Sequence, residues 1–281
     1  MTQVFTGDNQ TMDNRAIGVF DSGLGGLTVV KEIISQLPGE SVIYFGDSGR
    51  APYGTKSGET VIKYMLQDIR FLMKHNIKMI VIACNTMSAH GYDIAKSTFD
   101  IPIIEVIGAG ATAAAAETRN KRLGIIGTSA TINSGAYKKA VINLDNGIEV
   151  FQKACPLFVP LVEEGQEWWD NDITLKVAEK YLLPLKTTGV DTLVMGCTHY
   201  PLLYSIISKV MGERVTLVNS AIEVARVVKR TVLEMDMSRE TELKPEYCYY
   251  TSDSVEKFIP LCSAILGIAV DSAEKIDIEK Y

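Results

Sequence analysis

K-M-I-V-I-A-C-N-T-M-S-A-H, residues 78–90, holds the pattern that decides the fold. Met79 to Ala83 form an unbroken apolar run of strand-forming residues, and helical periodicity sets in near Ser88, after Cys84-Asn85-Thr86. A strand apolar on both faces belongs to a parallel sheet covered by helices. The same kind of run recurs as AIGVF (16–20), SVIYF (41–45), PIIEVI (102–107), RLGII (122–126), TLVMG (192–196) and RVTLV (214–218). Helical segments separate these runs, as expected of βαβ units in an α/β fold. In such sheets functional side chains gather beyond the carboxyl ends of the strands.

The pattern also repeats. I-G-V-F-D-S (17–22) resembles L-G-I-I-G-T (123–128), and I-V-I-A-C-N-T (80–86) resembles L-V-M-G-C-T-H (193–199). Two pseudo-symmetric, doubly wound α/β domains with mainly parallel sheets are therefore expected, with the active site in the cleft between them. The echo stops near residue 220. A helix over 220–234, a strand over 246–250 and a further helix are expected to fold back onto the first domain. The expected division is a flexible leader at 1–15, a first domain of 16–107 plus 222–281, and a second of 108–221.

Composition narrows the classes of function. Hydrophobic residues make up 47% and charged residues 22% of 281, as in soluble globular proteins. No apolar run approaches the roughly 18 residues of a membrane span. The first fifteen residues are polar and unlike a signal peptide, so the cytoplasm is the expected location and no membrane partner is expected. Five cysteines without a C-x-x-C pair suggest neither a disulfide framework nor a zinc site, so no metal is expected. The net charge of −6 comes without a basic cluster, which argues against nucleic acid as the main partner and for a small ligand.

Cys84 and Cys197 both end a strand and precede a polar turn. A helix N-terminus following a cysteine is expected to lower its thiol pKa. Inverting a carbon stereocentre needs a base on one face and an acid on the other, and two thiols that exchange those roles meet the need. His199, two residues beyond Cys197, and Asp21, at the end of the first strand, are candidate proton-handling neighbours. Ser22, Asn85, Thr86, Thr128 and Thr198 fall at strand-end turns, where hydroxyls, amides and backbone N–H groups can receive carboxylates. Gly54 lies on a loop after the second strand that is placed to close over a pocket. Cys155, Cys248 and Cys262 lack comparable surroundings and read as packing residues.

One motif points elsewhere. I-G-A-G-A-T-A-A-A-A (107–116) satisfies the dinucleotide fingerprint G-x-G-x-x-A. The acidic residue expected about 20 positions later is missing, since the next strand ends in Gly127 and Thr128. Close packing of a small-residue helix is the preferred reading, and no cofactor is expected.

F-D-S-G-L-G-G-L-T (20–28), Y-F-G-D-S-G-R-A-P-Y-G (44–54), A-C-N-T (83–86), G-T-S-A-T-I-N-S (127–134) and G-C-T-H-Y-P-L-L (196–203), in this order, resemble the glutamate racemases of the aspartate/glutamate racemase superfamily. The resemblance runs from about Ile17 to residue 270. It implies two pseudo-symmetric α/β domains, no pyridoxal phosphate or metal, Cys84 and Cys197 as the acid/base pair, and Asp21 and His199 as their helpers. It further implies a glutamate site lined by Ser22, Pro52, Tyr53, Gly54, Asn85, Thr86, Thr128 and Thr198, a homodimer, and D-glutamate made for peptidoglycan. Met87, where a smaller residue is usual, and Lys56, where Arg is common, depart from the pattern at the pocket edge. An aspartate racemase or related two-cysteine isomerase is the nearest alternative, though its second motif tends to read G-C-T-E. A non-enzymatic two-lobed binding module and a thiol redox protein are the alternatives from other classes.

Overall fold

The computed structural model describes residues 12–240 and 242–281. Two parallel sheets organise it. The first holds β1 (Ala16–Asp21), β2 (Val42–Gly46), β3 (Ile77–Ile82) and β4 (Ile103–Glu105). The second holds β5 (Arg122–Gly127), β6 (Glu149–Ala154), β7 (Thr192–Gly196) and β8 (Thr216–Asn219). From the end of the chain, β9 (Tyr247–Thr251) and β10 (Glu274–Lys275) extend the first sheet to the order β10-β9-β2-β1-β3-β4. The second sheet has the order β6-β5-β7-β8, so β2-β1-β3-β4 and β6-β5-β7-β8 are the same arrangement used twice. The fold is the expected doubly wound α/β pair.

Burial on both faces explains why the strands read as continuous apolar runs. In the first sheet Ile17, Val19, Met79 and Val81 face one core. That core is completed by α1 (Leu27–Gln36), α10 (Ser220–Glu234) and α11 (Val255–Leu266). Phe20, Phe45, Ile80 and Ile82 face the opposite core, under α2 (Gly58–Leu72) and α3 (Asn85–Thr98). The second sheet repeats this. Ile126, Leu193 and Met195 pack on α7 (Phe158–Glu163), α8 (Asp172–Lys186) and α9 (Tyr204–Met211). Leu123, Ile125 and Val194 pack on α4 (Val106–Glu117) and α6 (Ala136–Leu144), the latter preceded by the short α5 (Ser129–Ser134).

Two local readings differ from the sequence expectation. The run at 102–107 yields a strand only over Ile103–Glu105. There the Glu105 carboxylate accepts from the Ile107 and Gly108 amides at 2.5 and 2.6 Å, which caps and starts α4. Strand β6, E-V-F-Q-K-A, lies at the sheet edge with no fully buried residue, so its mixed polarity carries no strand signal. The G-x-G-x-x-A segment agrees with its reading as a packed helix: it lies inside α4 and not in a strand-to-helix loop. A β carbon on Gly110 would come within 3.2 Å of Tyr137 Oη and 3.3 Å of Ser220 Cβ, so the small residues let α4 pack closely against α6 and α10.

Residues 1–11 of the expected leader lie outside the described residues. Its last part is tied down: the Asp13 amide donates to Ser238 O at 3.0 Å, and the Asp13 carbonyl accepts from Lys78 Nζ at 3.0 Å. Lys78, near the start of β3, is fully buried and pairs with Glu40 at 2.5 Å. Its ammonium also donates to Met237 O at 2.6 Å, and Glu40 accepts from the Arg239 amide at 3.0 Å. One lysine thereby joins four separate segments at the amino end of the sheet, opposite the strand ends that carry the cysteines. Removing the ammonium leaves the buried Glu40 without its counter-charge, so Lys78→Met is expected to cost about 3–5 kcal/mol. A urea unfolding midpoint within error of wild type would contradict this.

Candidate functional site

Register sets the site. In each sheet the chain leaves the first strand to one side and later returns on the other, which opens a crevice at the carboxyl ends of the two central strands. Phe20 pairs with Ile82 across β1 and β3, so the residues two further on, Ser22 and Cys84, meet beyond the sheet. The Cys84 thiol donates to Ser22 Oγ at 3.6 Å. Gly127 pairs with Gly196 across β5 and β7, which makes Thr128 and Cys197 neighbours in the same way.

The two crevices face each other around one cavity of about 340 Å³. Ser22, Pro52, Tyr53, Gly54, Cys84, Asn85, Thr86, Thr128, Cys197, Thr198 and His199 all line it. Of the candidate catalytic and substrate-binding residues Asp21 alone stands behind the wall, fully buried; Met87 and Lys56, expected at the pocket edge, do not line the cavity. Its carboxylate accepts from the Gly26 amide at 3.0 Å and from the Thr198 hydroxyl at 3.4 Å. Asp21 therefore spans from the first sheet to the cysteine turn of the second.

Further polar contacts close the two halves onto each other. Thr28 Oγ1 donates to Thr198 O at 3.0 Å, and Tyr137 Oη donates to Asn85 Oδ1 at 2.6 Å. The hydroxyls of Thr86, Thr128 and Thr131 lie 3.0–3.2 Å apart. Gly25 explains how close the approach is. A β carbon there would fall 2.3 Å from Thr198 Oγ1 and 2.4 Å from His199 Nδ1, so only glycine fits between the halves.

The two thiols have different surroundings. Cys84 caps α3, and the helix end was expected to lower its pKa. The reverse holds: burial, then the negative charge of Asp21, push the thiol up to about 12, against the Met87 amide and the Ser22 hydroxyl. Loss of hydration outweighs the partial charge of a helix end. Cys197 is followed by a 3-10 turn over Tyr200–Leu203, with Pro201 in it, and an α-helix begins only at Tyr204. Cys197 Sγ lies 3.8 Å from His199 Nδ1.

Glu163, at the end of α7, completes the group and escaped the sequence reading. Its carboxylate lies 2.9 Å from His199 Nε2. Nothing in P-L-F-V-P-L-V-E-E-G (156–165) marks it, because its partner is 36 residues away and is met only through the fold. Tyr137 and Thr131 were missed for the same reason. Burial opposes a charge on His199, but the contacts to Cys197 and Glu163 outweigh it and hold the imidazole pKa well above its usual value. Burial likewise opposes the Glu163 charge and is outweighed by His199, so that carboxyl sits below its usual range. Among the described residues that line the cavity there is no Lys or Arg, which leaves His199 as the cationic group. No group of three or more His, Cys, Asp or Glu among the described residues is placed to hold a metal ion.

With this geometry in view, relatives are informative. The sequence profile of the Asp/Glu/hydantoin racemases matches residues 17–227. A glutamate racemase of Geobacter metallireducens is 48% identical over 94% of this chain and 97% of its own. Among solved structures, a glutamate racemase isoform of Bacillus anthracis superposes with a TM-score of 0.91 at 39% identity, covering 94% of this chain and 98% of its own. A glutamate racemase of Francisella tularensis in complex with D-glutamate gives 0.89 at 38% identity, over 96% of this chain and all of its own.

The His199–Glu163 pair has a defined pH window. A histidine raised in the folded state adds stability that is complete below its unfolded value of about 6.5 and is lost as pH rises through the folded value. A lowered glutamate adds stability that is present above about 4.3 and is lost as pH falls through its folded value. Glu163→Gln is therefore expected to lower the His199 titration midpoint, read from its ring resonances by NMR. An unchanged midpoint would rule out the pair as a cause of the shift.

Proposed function

The chain belongs to the Asp/Glu/hydantoin racemase family, and we propose that it interconverts L- and D-glutamate by two-base proton transfer at Cα without a cofactor. The observation that carries this reading is the pair of thiols, Cys84 and Cys197, that reach one cavity from opposite sheets. The relatives named glutamate racemase, one of them solved with D-glutamate, support the choice of substrate.

In this reading one cysteine, as thiolate, removes the Cα proton, and the other, as thiol, delivers a proton to the opposite face of the carbanion. The two have then exchanged protonation states, and the reverse reaction starts from that arrangement. Cys84, with its pKa pushed to about 12, is the proton donor when the site is at rest. Cys197, beside His199, is its partner, and the contact with Glu163 helps hold the imidazole pKa up, so that the histidine offers a positive charge to the reacting group. Asp21 handles the Cys84 proton indirectly, since the thiol bonds to Ser22 and the carboxylate to Gly26 and Thr198. Each thiol is only 5% exposed, so bulk water does not compete for the proton.

The substrate carboxylates are received by Ser22, Asn85, Thr86, Thr128 and Thr198 and by backbone amides, with Pro52, Tyr53 and Gly54 forming the wall on the first-sheet side. The two working halves are 16–107 with 222–281, and 108–221, with β9 and β10 adding to the first sheet. A cytoplasmic homodimer supplying D-glutamate to peptidoglycan is the setting this activity implies. No helix among the described residues is long and apolar enough to cross a membrane.

Cys84→Ala and Cys197→Ala are each expected to lower racemisation by about 10²–10⁴-fold, the worth of a positioned acid or base. Turnover in deuterated water is expected to place deuterium at Cα chiefly in the inverted product. Early, equal labelling of substrate and product would instead mean one base serving both faces. L-glutamate and L-aspartate assayed side by side test the substrate, and faster turnover of aspartate would refute the glutamate assignment.

A further inference from the structure

Arg50 closes the 3-10 turn Ser48–Arg50 that precedes the cavity wall, and its side chain does not reach the cavity. It is nonetheless the centre of a polar cluster drawn from three parts of the chain. Its Nε donates to Asp47 Oδ2 at 2.6 Å, and its Nη2 to Asp68 Oδ1 at 3.0 Å. Its Nη1 donates to Gln67 Oε1 at 2.6 Å and to Glu279 Oε1 at 3.2 Å. The guanidinium lies 4.0 Å from the centre of the Tyr64 ring, which in turn packs against Tyr53.

Two contacts connect this cluster to the wall. The Tyr53 hydroxyl donates to the same Asp47 oxygen that receives Arg50 Nε. Asp47 Oδ1 accepts from Ser252 Oγ at 2.7 Å, and the Asp47 amide donates to Asp21 O at 3.0 Å, so the carboxylate is fixed to the ends of β1 and β9. On the other side, Gly54 is pressed onto the second half: a β carbon there would lie 2.6 Å from Thr128 Cβ. The 51–55 segment thus sits between a rigid charged cluster and the opposing sheet, with no slack on either side. The C-terminal turn adds the outer brace, because Ile278 is buried in the core beneath α2 and Tyr281 meets Phe71 edge-on at 5.3 Å.

We propose that Arg50 is a positioning residue: with Asp47, α2 and the C-terminal turn it holds Pro52, Tyr53 and Gly54 where they bind substrate. The inference rests on the glutamate racemase reading for its substrate and on this cluster alone for the hold on the loop. A planar guanidinium meets these partners at once with a fixed fork, and an ammonium cannot reproduce that fork. Asp68 supports the assignment. Its Oδ2 is buried without a partner, and burial followed by the charge of Asp47 raises its pKa well above the usual range. Arg50 faces both carboxylates, and its contact with Asp68 works against that rise.

Arg50→Lys and Gln67→Leu test the proposal, read by KM and kcat for both glutamate enantiomers and by hydrogen exchange of residues 48–57. Arg50→Lys is expected to raise KM about tenfold with kcat within about threefold, as for lost ground-state binding. Gln67→Leu, which removes one arm, is expected to raise KM about threefold and decides the matter if Arg50→Lys does not fold. In both variants exchange is expected to quicken over 48–57 and to stay at the wild-type rate in β5 and β7. Wild-type KM in both variants, or a fall in kcat at constant KM, would overturn the proposal. Equal acceleration of exchange in β5 and β7 would overturn it too, since that marks general loosening. Exchange reads the loop without any substrate, so a protein inactive on glutamate would sink the functional reading while leaving the hold on the loop measured.

Discussion

The parallel register between the two central strands of each sheet is the constraint on which the site depends. Phe20 opposite Ile82 and Gly127 opposite Gly196 place Ser22 beside Cys84 and Thr128 beside Cys197. A slip of one residue in either pairing would turn side chains to the other face of a sheet buried on both faces. Because apolar residues fill both cores, such a slip is opposed along the whole strand. The precision of the site is inherited from the packing of residues that never touch it.

The two halves then have to meet with their strand ends facing. Asp21, Thr28, Asn85 and Thr86 from the first half bond to Thr198, Tyr137, Thr128 and Thr131 from the second. Each of these groups is buried, and an unpaired one would carry its full desolvation penalty. The polar contacts therefore select one mutual orientation of two apolar-cored units, and Gly25 lets them approach within contact distance of His199. The cavity shares those same residues: Thr86, Thr128 and Thr198 both join the halves and line it.

Electrostatics in the cavity follow from the exclusion of water. Burial raises Cys84, while at the buried His199 the contacts to Cys197 and Glu163 outweigh burial and raise the imidazole pKa. The halves match in topology and differ in charge: Asp21 lies behind one thiol and a charged imidazole beside the other. That asymmetry gives the two thiols different surroundings within one cavity.

Much of this was legible in the chain. Continuous apolar runs specify parallel strands because both faces are buried, and the repeat of D-S and C-N-T against G-T and C-T-H marked the paired strand ends. Cys84, Cys197, His199 and the hydroxyl residues could be singled out because strand ends are where such sheets expose side chains. By contrast, β6 was missed because an edge strand has no continuous apolar run, and β4 was read too long because capping by Glu105 is a side-chain event. The pKa of Cys84 was expected on the wrong side, since helix ends are visible in sequence and burial is not. The partnership of Glu163 with His199, the four segments around Lys78 and the cluster around Arg50 join residues far apart in the chain. Sequence alone determined most of the elements and which strand ends line the cavity, because those depend on local pattern. Only the tertiary structure decided which charges meet and what they cost, because contact and desolvation are properties of the folded chain.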